Sequence, residues 1–189
     1  GPGDQEESEM GPLVTAAHRA HVISCIEKGE EEGADLVIDG REHDFSENEN
    51  GFFLAPSLFD NVTPDMYIQQ HEIFGPVLNI MRAPNFDTAL KWVSEHPYGN
   101  GTAIFTQSGS IAQHFAQHVQ VGMVGINIPI PVPMAFHSFG GWKRSLYGDT
   151  AMHGPEGIRF FTRIKNVTQR WSGEYSQPEF VMPTMTSKT

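Results

Sequence analysis

The side chains best placed to do chemistry stand at His71-Glu72-Ile73-Phe74-Gly75-Pro76-Val77, just before a Gly-Pro corner that opens an apolar run. Glu72 and Phe74 are two residues apart, so in a strand they would project from one face. A carboxylate can accept two hydrogen bonds from a sugar diol, and a ring beside it can pack on a flat heterocycle. The pair suits a nicotinamide riboside; an edge carboxylate beside a core phenylalanine is the structural alternative. Cys25 is the single cysteine. A thiol nucleophile needs a depressed pKa, access and an oxyanion hole. Cys25 instead stands inside a helical pattern among His21, Val22 and Ile26, which reads as a small core residue. His114 and His118 have a spacing that can bind zinc, but no Glu lies between them as in His-Glu-x-x-His and no third ligand follows at a diagnostic distance. That pair, like His18 and His21, reads as a polar helix face, and no metal is expected.

The elements that must position these residues alternate between strand and helix. Thr15 is a candidate N-cap for an amphipathic helix over 16–32, closed by Gly33. A short strand follows at 34–38, then a charged, Asn-rich surface loop over 41–51. Residues 52–59 read as a buried strand interrupted by Pro56, and Thr63-Pro64-Asp65 as the start of a short helical turn. Strands are expected at 77–81, 102–105 and 124–128, and helices at 87–96, 110–121 and 154–161. This alternation predicts an α/β fold, a parallel sheet with helices packed on both faces. Pro129, Pro131 and Pro133 prevent regular pairing. The loop they open runs to Gly148, the kind of segment that carries binding residues on such a scaffold. Asn127 ends a strand before the prolines and is expected to hold the following loop. Residues 166–171 read as a further strand, whose unpaired edge would expose backbone donors and acceptors.

With 189 residues the chain is one domain or a large piece of a bigger enzyme, and it can bury roughly 70% of the surface its unfolded form exposes. A formal charge of −11 speaks against nucleic acid or an anionic membrane as partner. No run has the length of a transmembrane helix, and the start lacks a basic region followed by an apolar one. With one cysteine no internal disulfide can form, which favours a reducing compartment and a cytoplasmic location. The sequons at Asn61, Asn100 and Asn166 read as chance in that setting.

The run Glu72-Ile-Phe-Gly-Pro-Val77 resembles a motif of the aldehyde dehydrogenases, and Ser138-Phe-Gly-Gly-Trp-Lys143 resembles a late motif of the same family. The features Ile128-Pro-Ile-Pro-Val-Pro133, Phe136-His-Ser-Phe139, Tyr147-Gly-Asp149 and Phe160-Phe-Thr-Arg163 are most similar to the CoA-acylating methylmalonate (malonate) semialdehyde dehydrogenases. The resemblance covers nearly the whole chain. It implies that Glu72 holds the nicotinamide ribose and that Phe74 borders the nicotinamide, with NAD as cofactor and CoA as co-substrate. It implies that Phe139, and more weakly Phe136 and His137, line the aldehyde path, although Phe139 also reads as a core residue beside a Gly-Gly turn. Lys143 and Arg144 could face an acidic substrate or CoA phosphates, but a solvated basic pair is the favoured reading.

By the same resemblance, residues 1–164 correspond to the C-terminal portion of the catalytic domain and 165–189 to an oligomerisation strand and tail. The nucleophilic Cys, the oxyanion-hole Asn and the Rossmann domain are not found in this chain. Neither Gly-x-Gly-x-x-Gly nor a Walker loop occurs, and Gly140-Gly-Trp-Lys-Arg-Ser145 lacks the spacing of a P-loop. The expectation is a fragment without turnover of its own. Its partners would be a small aldehyde, the missing N-terminal part of the same enzyme, and further copies in a homodimer or homotetramer. A hydrolytic aldehyde dehydrogenase and a non-catalytic assembly module are the alternatives.

Overall fold

The computed structural model describes residues 1–45, 51–169 and 171. Thr15 stands in an extended conformation and its side chain accepts from the His18 N–H at 3.1 Å, capping α1 (Ala16–Glu31). Val22, Cys25, Ile26 and Gly29 form the buried face of that helix. Gly33 leaves it at φ +90°, a conformation that costs a residue without Cβ nothing.

β1 (Asp35–Ile38) runs antiparallel to β2 (Ser57–Asp60), and β2 runs parallel to β3 (Val77–Asn79). The larger core lies between this sheet, α1 and α2 (Tyr67–Gln70), with Phe59, Ile26 and Val22 fully enclosed and Ile68 and Ile73 packed beside them. Gly29 allows the close approach, since a Cβ there would fall 3.0 Å from the Phe59 ring.

The second half begins with Asn85, whose side chain accepts from the Thr88 N–H at 2.9 Å and caps α3 (Phe86–Glu95). β4 (Tyr98–Gly99) and β5 (Gly101–Ile104) follow, then α4 (Gly109–His118) and β6 (Met123–Ile126), which pairs parallel to β5. A smaller core of Phe115, Val119 and Val121 gathers Phe86, Leu90, Val93, Ile104 and Val124 around it. β7 (Trp142–Lys143) pairs antiparallel with β4, and α5 (Gly154–Phe161) closes the described elements.

The α/β class and the parallel pairs stand as expected, but among the described residues the strands form three small sheets and β1 is antiparallel. Over 52–59 only the end enters a ladder. Phe53 and Leu54 are buried without pairing, because the Ala55 carbonyl is pressed against Gly40, where a Cβ would meet it at 1.8 Å. The chain turns at 63–66 and the helix begins only at Tyr67. The loop after the prolines contains β7, which sequence periodicity could not show in two residues. A strand is expected over 166–171; among the described residues of that stretch none joins a sheet, since no described segment offers it a row of partners. The rest of the expected tail domain, 172–189, and positions 46–50 of the charged loop lie outside the described residues. Before them, Arg41 binds Asp39 at 2.6 Å and Glu30 at 2.7 Å, fixing the 3-10 turn Gly40–Glu42 to α1. The Arg41 guanidinium holds the Asp39 carboxyl below the usual carboxylate range.

Ser57 is the one buried polar side chain among the described residues, and its hydroxyl accepts from the Gly40 N–H at 3.0 Å. Ser57→Ala leaves that donor without a partner and should destabilise the fold by about 1–3 kcal/mol. A urea titration checks this: the midpoint should fall while the slope stays unchanged.

Candidate functional site

Ile73 is buried in the larger core, whereas Glu72 and Phe74 on either side of it face solvent, Phe74 at 77% exposure. This alternation is not that of a strand, because β3 starts only at Val77. Phe74 takes φ +58°, and its carbonyl accepts from His18 Nε2 at 2.8 Å. Gly75 then presses on α1 so closely that a Cβ would lie 2.6 Å from Val22 Cγ2. The Ser57 N–H donates to the Pro76 carbonyl at 2.8 Å and delivers the chain into the sheet.

The bend separates the two candidates. Glu72 stands on an open cleft of about 550 Å³ with Gln69, His71, His96, Tyr98 and Arg144. Phe74 lines another hollow, of about 500 Å³, with Met10, Pro12, Leu13 and Leu54. The expected common face is therefore corrected: the left-handed bend at Phe74 turns its ring to a different hollow. Among the described residues the Glu72 carboxylate has no hydrogen bond or ion pair, so its oxygens are available to hydroxyl donors.

Phe139 is half-buried and stacks on His153, ring centroids 4.5 Å apart and planes within 2°. Phe136 is 65% exposed and leans on His137. The first turn of α5 braces this segment: the Gly154 N–H donates to the Ala135 carbonyl at 3.1 Å, and the Glu156 N–H to Ser138 Oγ at 3.2 Å. Gly154 adopts φ +64°, and a Cβ there would meet Ser138 N at 2.6 Å. Neither Phe136 nor Phe139 lines the Glu72 cleft or the Phe74 hollow.

Lys143 is exposed, as expected of a solvated cation, but its ammonium is also engaged. Its Nζ donates to the Ser94 carbonyl at 2.9 Å and to the His96 carbonyl at 2.7 Å, so it caps the C-terminal end of α3. Burial pulls its ammonium below the usual lysine range. Arg144 is exposed on the Glu72 cleft, and its backbone N–H donates to the Pro97 carbonyl at 3.2 Å. Sequence reasoning missed this clamp, and missed His96 within it, because the Lys143 acceptors are backbone carbonyls 47 and 49 residues away. Asn127 takes φ +57° and bonds Thr106 through both side-chain termini, at 2.9 and 3.1 Å. It thus pins the end of β5, not the loop that follows it.

Cys25 is 1% exposed, burial pushes its thiol up, and His21 Nε2 lies 3.6 Å from the sulfur. His114 and His118 stack at 4.1 Å, and His118 Nδ1 donates back to the His114 carbonyl. Among the described residues no group of three His, Cys, Asp or Glu could hold a metal ion, and no helix is long and apolar enough to cross a membrane.

Residues 1–167 match the aldehyde dehydrogenase family. This chain belongs to the aldehyde dehydrogenase family. A malonate-semialdehyde dehydrogenase of Pseudomonas aeruginosa is 50% identical over 187 residues, which are 98% of this chain and 38% of that protein. The rat mitochondrial methylmalonate-semialdehyde/malonate-semialdehyde dehydrogenase [acylating] is 45% identical over 97% of this chain and 35% of its own length. Among solved structures, a methylmalonate-semialdehyde dehydrogenase of Oceanimonas doudoroffii superposes with TM-score 0.86 at 50% identity, over 92% of this chain and 36% of that one. A Sinorhizobium meliloti chain assigned to the same enzyme and complexed with NAD gives TM-score 0.88 at 50% identity, over 93% and 36%. This aldehyde dehydrogenase chain thus spans a little over a third of the length of the relatives it matches.

In an aldehyde dehydrogenase chain with Phe74 held at positive φ, the exposed ring contributes little burial and the backbone carries strain. Phe74→Gly should be more stable than Phe74→Ala by about 1 kcal/mol, because only glycine takes this conformation without a Cβ clash. Thermal or urea unfolding of the two variants side by side checks the order.

Proposed function

We propose that this chain supplies the nicotinamide-side and aldehyde-side surfaces of an NAD-dependent, CoA-acylating methylmalonate or malonate semialdehyde dehydrogenase, corresponding to the C-terminal part of that enzyme. The observation that carries the reading is Glu72, a carboxylate with no partner among the described residues, on an open cleft within the Glu72–Val77 motif, in a chain 50% identical to a malonate-semialdehyde dehydrogenase.

In this reading Glu72 offers two carboxylate oxygens to the ribose hydroxyls, and the exposed Phe74 ring, on the neighbouring hollow across the bend, borders the nicotinamide. Bound NAD would supply a hydride acceptor. The chain's own part is orientation: Ile73 in the core and the His18 bond to the Phe74 carbonyl hold these groups in place before substrate arrives. Phe139 and Phe136 would form an apolar wall for the aldehyde and exclude water.

A cysteine thiolate from the remainder of the enzyme would attack the aldehyde carbon, and loss of hydride would leave a thioester. The CoA thiol would then take the acyl group, the substrate carboxylate leaving as carbon dioxide, to give propionyl-CoA or acetyl-CoA. Cys25 does not serve as this nucleophile: it is enclosed and its thiol is raised. The chain alone is therefore inactive. In the same reading it works in the cytoplasm as part of a homodimer or homotetramer. Ile164, Val167 and Trp171, exposed at 94%, 67% and 88%, support such an assembly as apolar side chains left uncovered among the described residues.

The test compares this chain with the intact gene product, each given NAD, CoA and malonate semialdehyde. The expected outcome is NADH with acetyl-CoA from the intact product and neither from the chain alone. NADH with free acid instead would establish the hydrolytic alternative. No NADH from the intact product would overturn the reading.

A further inference from the structure

The late Phe139–Lys143 motif and the Glu72 motif line no common hollow, yet a continuous set of contacts joins them. On the aldehyde side, Gly140 and Gly141 press the loop against the second half of the fold. A Cβ on Gly122 would meet the Gly140 carbonyl at 1.9 Å, and one on Gly141 would meet Ser145 Cβ at 2.6 Å. Two residues on, Trp142 and Lys143 pair with Gly99 and Tyr98. Ser145 Oγ accepts from the Gly99 N–H at 3.1 Å. Gly99 is also what admits the lysine stem, since a Cβ there would stand 2.7 Å from Lys143 Cε.

The ammonium at the end of that stem holds the Ser94 and His96 carbonyls together. His96 carries the connection onward. Its Nε2 donates to the Gln69 carbonyl at 3.2 Å, and its Nδ1 accepts from the Tyr98 N–H at 3.2 Å. A carbonyl can only accept and an amide N–H can only donate, so these two bonds specify the neutral tautomer with its proton on Nε2. Gln69 belongs to the last turn of α2, whose end is fixed by the His71 N–H bond to the Tyr67 carbonyl, and Glu72 follows at once.

We propose that Lys143 and His96 are positioning residues, a strut that fixes the Glu72 edge relative to the Phe139 loop. Lys143 anchors the loop on the end of α3, and His96 ties that end to the end of α2. The inference rests on the functional reading above for what the strut positions, but the mechanical link can be tested independently of it. Hydride transfer needs its two reactants at a set separation, so a brace between the surfaces that hold them acts on rate without touching either.

The test uses the intact gene product and the variants Lys143→Met, Lys143→Arg and His96→Phe. Methionine keeps an unbranched stem beside Gly99 without the charge, and phenylalanine keeps a ring without its nitrogens. Amide hydrogen exchange at 69–72 should accelerate about tenfold in Lys143→Met and His96→Phe, as expected when one charge-assisted or well-aligned hydrogen bond is lost. In the same two variants kcat/KM for the aldehyde should fall about ten- to a hundredfold, mainly through kcat, with Lys143→Arg retaining most of the activity. Faster exchange confined to 142–145 in Lys143→Met, with 69–72 as protected as in the wild type, overturns the strut. A kcat unchanged in Lys143→Met overturns the positioning role. A wild-type product without aldehyde-dependent NADH would instead overturn the functional reading and leave the exchange result to decide the strut alone.

Discussion

Helix α1 and the Glu72 motif meet at Gly75, where a Cβ would stand only 2.6 Å from Val22 Cγ2. That approach is the constraint from which the geometry of the Glu72 motif follows. With Gly75 against the helix and Ile73 in the core, the residue between them must leave the β region, and Phe74 does so at φ +58°. The His18 ring then meets the Phe74 carbonyl, which would otherwise be without a partner. The outward placement of Glu72 and Phe74 is thus a result of packing beneath them. A carboxylate presented in this way has no hydrogen-bond partner among the described residues, so its position rests on the packing of Ile73 and Gly75 and not on bonds of its own.

Local rules account for the elements that could be read in advance. Thr15, Asn85 and Ser108 each accept from an amide three residues on, so the starts of α1, α3 and α4 follow from short-range capping. α5 begins at Gly154 and ends at Phe161, where the pattern predicts it. The strand expected over 52–59 fails for a non-local reason: the Ala55 carbonyl packs on Gly40, and only from Ser57 does a partner strand lie alongside. Likewise, a two-residue ladder such as β4–β7 has no periodicity to detect.

The candidate site divides in the same way. Glu72 and Phe74 could be named from type and spacing, and both are exposed. That they serve separate hollows depends on one backbone dihedral, which no residue pattern reports for a phenylalanine. Lys143 shows the converse error. In sequence it neighbours Arg144 and reads as half of a basic pair; in space it spends its donors on the carbonyls that end α3. A lysine's three donors suit the converging carbonyls at a helix terminus, and the macrodipole favours the charge there.

Within this chain the exposed Glu72 motif and the single thiol stand in different environments. The groups facing solvent, Glu72 and Phe74, can hold a ligand but are poor nucleophiles. Cys25 is the nucleophilic type, yet burial disfavours its thiolate and His21 stands 3.6 Å from its sulfur within the same helix. Activating Cys25 would require opening the core around Val22 and Ile26, both fully buried, and so undoing the packing that presents Glu72 and Phe74. An accessible Cys25 thiolate and an intact core around Val22 and Ile26 exclude each other at that position. The packing that holds the bend at Phe74 is the same packing that keeps the thiol enclosed.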